Sequence, residues 1–220
     1  MSTTFKPFGL KPVYHPSGLD RAVPFVGTNT FVAGTTFTAP YSLNSGETFF
    51  QYQPVSLTAS GQLTIANQTA ASGTVYGVFD GVEFTTAEGR RTLGKSISKA
   101  SLDAATQIVF WIFSDPALVY EAQVNGSAST ASIGRQYNFD TTTNSRTVDG
   151  YTIGTGGAGF STTALLATPV ATTVQGQVRV VGLGREVAFP TGELNAWGDA
   201  FTIVQVQIAN NTFVAPKVSI

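Results

Sequence analysis

The sequence predicts an all-β chain, an antiparallel β-barrel or β-sandwich with an extended N-terminal arm and one or two short helices. Three observations carry that prediction. Short runs rich in Val, Ile, Phe, Tyr and Thr recur along the chain and are punctuated by 23 Gly and 10 Pro. Several runs alternate apolar and polar residues with a period of two. Helical periodicity is scarce.

Each element follows from its residues. Residues 1–20 hold Pro7, Pro12 and Pro16 with Gly9 and Gly18, which forbid a long helix and favour an extended arm carrying Phe5, Phe8, Leu10 and Tyr14. Residues 21–220 are read as one β-rich globular domain. In "QPVSLTASGQLTIA" (Gln53–Ala66), Val55 and Leu57 alternate before "ASG" and Leu63 and Ile65 after it, a hairpin signal. "GTVYGVFDGVEFT" continues as a strand whose Gly77 and Gly81 suggest a bulge or tight bend. "SISKASLDAATQ" (Ser96–Gln107) is a short-helix candidate. "QIVFWIF" is apolar on both faces and reads as a central strand with Trp111 in the core. "LVYEAQV" (Leu118–Val124) alternates, which predicts one wet face. "STASIG" is a second short helix stopped by Gly134. The polar, glycine-rich stretch near 140–163 marks a hairpin tip or long surface loop. "QGQVRVVGLGREV" is another strand, and "FTIVQVQIANNTFVAP" reads as a strand, an Asn-Asn turn and a further strand.

Composition narrows the chemistry. With no cysteine, disulfides, thiolate zinc sites, iron–sulfur clusters and a cysteine nucleophile are excluded. Charged residues are only 11%, against roughly 25% in an average soluble protein, which suits a surface partly covered by other subunits. The net charge of −1 recommends no nucleic-acid partner. No apolar run approaches the roughly 18 residues of a membrane-spanning helix, and "MSTTFKPFGL" lacks the basic and apolar regions of a secretory signal.

Candidate catalytic patterns fail on their companions. Gly154, Gly156 and Gly159 have the G-x-G-x-x-G spacing of a dinucleotide loop, but Pro169 cuts the following helix short. No Asp or Glu lies between Phe160 and Arg185 to take a ribose hydroxyl, so no cofactor is expected. "SISK" lacks the partner motifs of serine acyltransferases. His15 is the only histidine, which rules out a multi-histidine metal site; aromatic packing or an intersubunit hydrogen bond is its expected role. Asp80, Glu83, Asp115 and Glu121 lie on or near strands, as the carboxylates of a glycosidase do. Asp80 before Gly81 and Asp115 before Pro116 read more simply as turn residues, and Glu121 as solvated or interface-paired. "EGRR" and "GRE" are read as surface charges or intersubunit salt-bridge partners. Trp197, in the turn "LNAWGD", is the exposed candidate for a stacking platform, as in a carbohydrate-binding β-sandwich.

Three stretches resemble the tailed-phage head decoration, or cement, proteins. "FKPFGLKPVYHPSG" (Phe5–Gly18) is similar to the family's opening "GL(K/R)PV-H--G", and "FSDPALVYEAQVNGSASTASIGRQYNF" (Phe113–Phe139) to its "DP---FE-Q-DG" followed by a small-residue turn. "QVRVVGLGREVAFPTGELNAWGDAFTIVQVQIANNTF" (Gln177–Phe213) resembles its closing segment, with Asn211-Thr212 where relatives often place Asn-His. The resemblance implies a β-rich, non-enzymatic virion protein on the outer capsid surface. It would clamp neighbouring major capsid proteins, often as a homotrimer, sometimes as a dimer. On that reading Phe5, Phe8, Leu10, Tyr14 and His15 extend from the domain to pin a neighbouring chain, with Trp197 as a further contact; the alternative is that the arm packs on its own domain. A tail or capsid-surface carbohydrate- or receptor-binding module is the other function that suits the composition.

Overall fold

The structure, a computed structural model, describes residues 5, 7–18, 21–28, 30–32, 36–66, 73–140, 147–148, 151–152, 161–185 and 194–213. Its strands are β1 (Lys11–Tyr14), β2 (Val23–Thr28), β3 (Thr30–Val32), β4 (Thr36–Thr38), β5 (Thr48–Phe50), β6 (Gln53–Leu57), β7 (Leu63–Ile65), β8 (Gly77–Thr85), β9 (Arg91–Gly94), β10 (Ser96–Ser98), β11 (Gln107–Phe113), β12 (Val119–Gln123), β13 (Gln136–Tyr137), β14 (Thr147–Val148), β15 (Tyr151–Thr152), β16 (Val178–Leu183) and β17 (Ile203–Ile208). Helix α1 (Lys99–Asp103) and a 3-10 turn at Thr130–Ser132 complete the described elements. The chain is therefore all-β, and its named strands pair antiparallel.

Two sheets organise the molecule. The five-stranded sheet has the order β1-β12-β17-β16-β13; the six-stranded sheet has the order β2-β11-β8-β6-β7, with β9 pairing β8 off that path. The six-stranded sheet is built around β11, which pairs β2 along one edge and β8 along the other, as expected of a central strand. In β8, the residue pair Asp80-Gly81 spans a register shift opposite Trp111 and Ile112. This bulge lets the first part of β8 pair with β6 and the second with β9. The β6–β7 hairpin pairs Val55 with Ile65 and Leu57 with Leu63, and Gly61 in its turn takes φ +76°.

The helical pieces are short because their caps are close together. Ser98 caps α1 by accepting from the Ser101 N–H at 3.2 Å, and Lys99 reaches Asp103 one turn on at 2.7 Å. Gly134 at φ +83° ends the 3-10 turn. Asn210 and Asn211 do turn the chain after β17, with Asn211 in a parallel bridge to Val75; of the strand expected over 212–216, Thr212 and Phe213 still belong to the turn and 214–216 lie outside the described residues.

Each sheet owns a core. Tyr120, Ala122 and Val124 face Val204, Val206, Val178 and Val180 on the inner side of the five-stranded sheet. Under the six-stranded sheet, Phe49 packs 5.5 Å from both Phe79 and Phe110, with Ile108, Ile112, Val82 and Leu102 around them. Burial of each such side chain stabilises the fold by about 1.5–3 kcal/mol.

The N-terminal segment forms an edge of both sheets. β1 flanks β12 in one sheet and β2 flanks β11 in the other, so residues 11–14 run antiparallel beside 119–121 and residues 23–28 beside 107–112. The arm is extended as expected, but it is docked on the chain's own fold.

Candidate interaction surfaces

The arm residues divide between the core and the surface. Phe5 is buried against Ala164 and Phe201, with ring centroids 5.2 Å apart in the Phe5–Phe201 pair. Leu10 is buried in the first core, and Phe8 is half-buried. Between them Gly9 sits at φ +79° against the Tyr52 carbonyl, and a Cβ there would press on that oxygen and lie 2.8 Å from the Ser161 Cβ. The Leu10 N–H donates to the same carbonyl at 2.8 Å, and Tyr52 is itself left-handed at φ +65°. "FGL" is thus shaped to seat the arm in a slot between Tyr52 and Ser161. Phe5 and Leu10 cannot pin a neighbour while they fill these positions, because burying them at home removes them from the surface. Of the five arm residues only Tyr14, 45% exposed, remains open.

His15 fixes the corner where the chain crosses between sheets. Its side chain is 5% exposed, Nδ1 accepts the Ser17 N–H at 3.0 Å, and Nε2 lies 3.1 Å from Asp115 Oδ2. An accepting Nδ1 places the proton of a neutral ring on Nε2, facing the carboxylate. Asp115 also accepts from the Ala117 N–H at 2.8 Å, so one carboxylate ties both crossings. Within the chain, His15 has Asp115 as its partner. Close by, Tyr120 donates to the Phe113 carbonyl at 3.2 Å, and burial, with Asp115 adding, pushes its phenol far above the usual range.

The three stretches singled out in sequence meet in space. They supply β1, β12 and β17, neighbours in one sheet, with Lys11 opposite Glu121 and Glu121 opposite Gln205. The wet face expected of β12 is absent: Glu121 and Gln123 are 3% and 2% exposed. Glu121 accepts the Arg185 N–H at 2.7 Å, so the backbone just after β16 meets this face. Gln205 on β17 is buried as well. A signal for this existed: the polar phases of β12 and β17 hold Gln123, Gln205 and Gln207, uncharged amides that tolerate burial once hydrogen-bonded.

The outer face of the six-stranded sheet is the opposite case. Phe110 and Ile112 point to the core, so Val109 and Trp111 point outward; Trp111 is half-buried there rather than in the core. Trp111 lies between Pro24 and Gly81, and Val109 aligns with Glu83 and then Leu93, which is 74% exposed. Arg91 pairs with Glu83 on the same face. Trp197 is half-buried and packs on the first core, so it is no open platform. A row of rings is more accessible: Phe25 and Tyr76 are 6.0 Å apart, and Tyr76 and Phe213 5.6 Å, with Phe213 71% exposed. Sequence reading missed this row because its members are far apart in the chain.

The candidate acids each have a partner within the fold. Asp80 sits in the β8 bulge, where the Gln51 side chain donates to it at 3.0 Å. Glu83 and Glu121 lie on the outer faces of different sheets, each with a partner of its own. Among the described residues no three His, Cys, Asp or Glu side chains cluster as metal ligands, and no helix is long and apolar enough to cross a membrane. The glycine loop at Gly154, Gly156 and Gly159, and Glu186 of "GRE", lie outside the described residues. No family model, curated protein or solved structure matches the chain.

Proposed function

We propose that the chain is a structural virion protein that binds the outer surface of a phage capsid and stabilises it by bridging neighbouring major capsid proteins. The carrying observation is that the three stretches resembling head decoration proteins are not scattered but form adjacent strands, β1, β12 and β17. The low charge and the apolar outer face of the six-stranded sheet support a surface that works by adhesion. On this reading the chain is no enzyme, needs no cofactor or metal, and has as partners the major capsid protein and itself, as a homotrimer or dimer. Each contact buries a modest apolar area at about 25 cal/mol per Å², and the symmetry of the shell makes many contacts act together.

The test is to mix the purified chain with expanded heads of the phage that encodes it. Co-sedimentation at saturation and a raised head melting temperature are expected; chain left wholly in the supernatant rejects the reading. The ring row Phe25–Tyr76–Phe213, half-buried at its first two members and exposed at Phe213, favours a second reading, a tail or capsid-surface module for carbohydrate or another receptor. Glycan binding without head binding would select it.

A further inference from the structure

Resting on the capsid-surface reading, we propose that the outer face of the six-stranded sheet, centred on Trp111, is the side that docks, and that its occupant is an uncharged, apolar patch on a capsid subunit. The solvent face of an antiparallel sheet is ordinarily polar. This one carries Pro24, Trp111, Val109 and Leu93 on one part of the face, beside the polar Gln107, Thr85, Glu83 and Arg91. Gly81, directly across from Trp111, adds no side chain beside the indole; a Cβ there would lie 3.0 Å from the Gly94 carbonyl oxygen. Tryptophan is among the residues enriched at the energetic hot spots of protein interfaces.

Charge and area choose the occupant. Glu83 and Arg91 neutralise each other, so this part of the face offers nothing to a phosphate backbone or an anionic lipid surface. Four strands about 4.8 Å apart, each contributing about five residues, make a face of about 300 Å². A stable complex of two soluble proteins buries about 800 Å² on each partner. The face is therefore too small to hold a second copy of this chain by itself. It suffices where many copies meet a repeating lattice at once, which points to the shell rather than to self-pairing.

Leu93 gives the cleanest probe, because it is 74% exposed and a lysine there lies across from Glu83. Wild type, Leu93→Lys and the control Leu194→Lys, altered at a site 76% exposed, are titrated onto the same heads, and thermal melts of the free proteins check folding. The expected result is unchanged melting for all three, at least tenfold weaker head binding by Leu93→Lys, and wild-type binding by the control. Equal binding by all three overturns the face while leaving the capsid reading intact. No binding by wild type removes the capsid reading and this inference with it. Wild type that sediments as a dimer, and becomes monomeric in Leu93→Lys, shows the occupant to be a second copy and overturns the assignment.

Discussion

The outer faces of the two sheets are built from opposite materials. On the five-stranded sheet the outward positions carry Glu121, Gln123 and Gln205, yet all three are buried. On the six-stranded sheet they include Trp111, Val109 and Leu93, yet these stay half or fully exposed. A polar face can be covered when each group finds a hydrogen-bond partner, as Glu121 does with the Arg185 N–H. An apolar face left open has no such internal account, since covering it would have stabilised the fold. The first face thus belongs to folding, and the second is the face proposed for docking. Mutations should separate the two roles.

The largest effect is expected where the covered side depends on the arm. Gly9 lets the chain enter the slot that puts β1, and Lys11 with it, beside Glu121. Gly9→Ala adds a left-handed penalty of about 1–2 kcal/mol and an overpacking penalty of about 1–3 kcal/mol against Tyr52 and Ser161. Urea unfolding should show a loss of about 3 kcal/mol; a loss under about 1 kcal/mol would mean the arm is not held in this slot.

A smaller loss tests the covered face itself. Glu121→Ala removes the acceptor of the Arg185 N–H and leaves that donor without its partner, at a cost of about 1–3 kcal/mol. Glu121→Gln keeps an acceptor oxygen at nearly the same place and should recover most of that stability. If both variants melt with the wild type, the polar face contributes nothing and the comparison between the sheets collapses.

How much of this was legible in the sequence follows from the range of the interactions. The β6–β7 hairpin was readable because Val55, Leu57, Leu63 and Ile65 flank their own turn, and the central place of β11 because a continuous apolar run suits a strand with a neighbour on each edge. The short helix and the 3-10 turn were readable from local caps. The side on which Trp111 lies was not, since an apolar run looks the same from either face. Nor was the burial of Glu121, because its cover arrives from Arg185, 64 residues away. The slot for the arm joins Gly9, Tyr52 and Ser161, three residues whose proximity only the folded chain creates. Of the six contact residues expected in sequence, Phe5 and Leu10 became core, His15 became a corner tie, Phe8 and Trp197 are half-buried, and Tyr14 stayed open. Residue type marked them; what it could not say was which would be covered by their own chain.

The smallest effect is expected on the open face, and its smallness is the point. Arg91 is 73% exposed and pairs with Glu83 across two neighbouring strands. Solvent screens such a pair and holding two long side chains in place opposes it, so Arg91→Ala should change unfolding free energy by no more than about 0.5 kcal/mol. The same change leaves Glu83 without its partner beside Val109 and Leu93, giving the face a net negative charge. If that face binds a neutral apolar patch, Arg91→Ala weakens head binding while the melt stays put. A stability loss as large as that of Glu121→Ala would instead make the open face part of the folding machinery, and the division between the two sheets would fail.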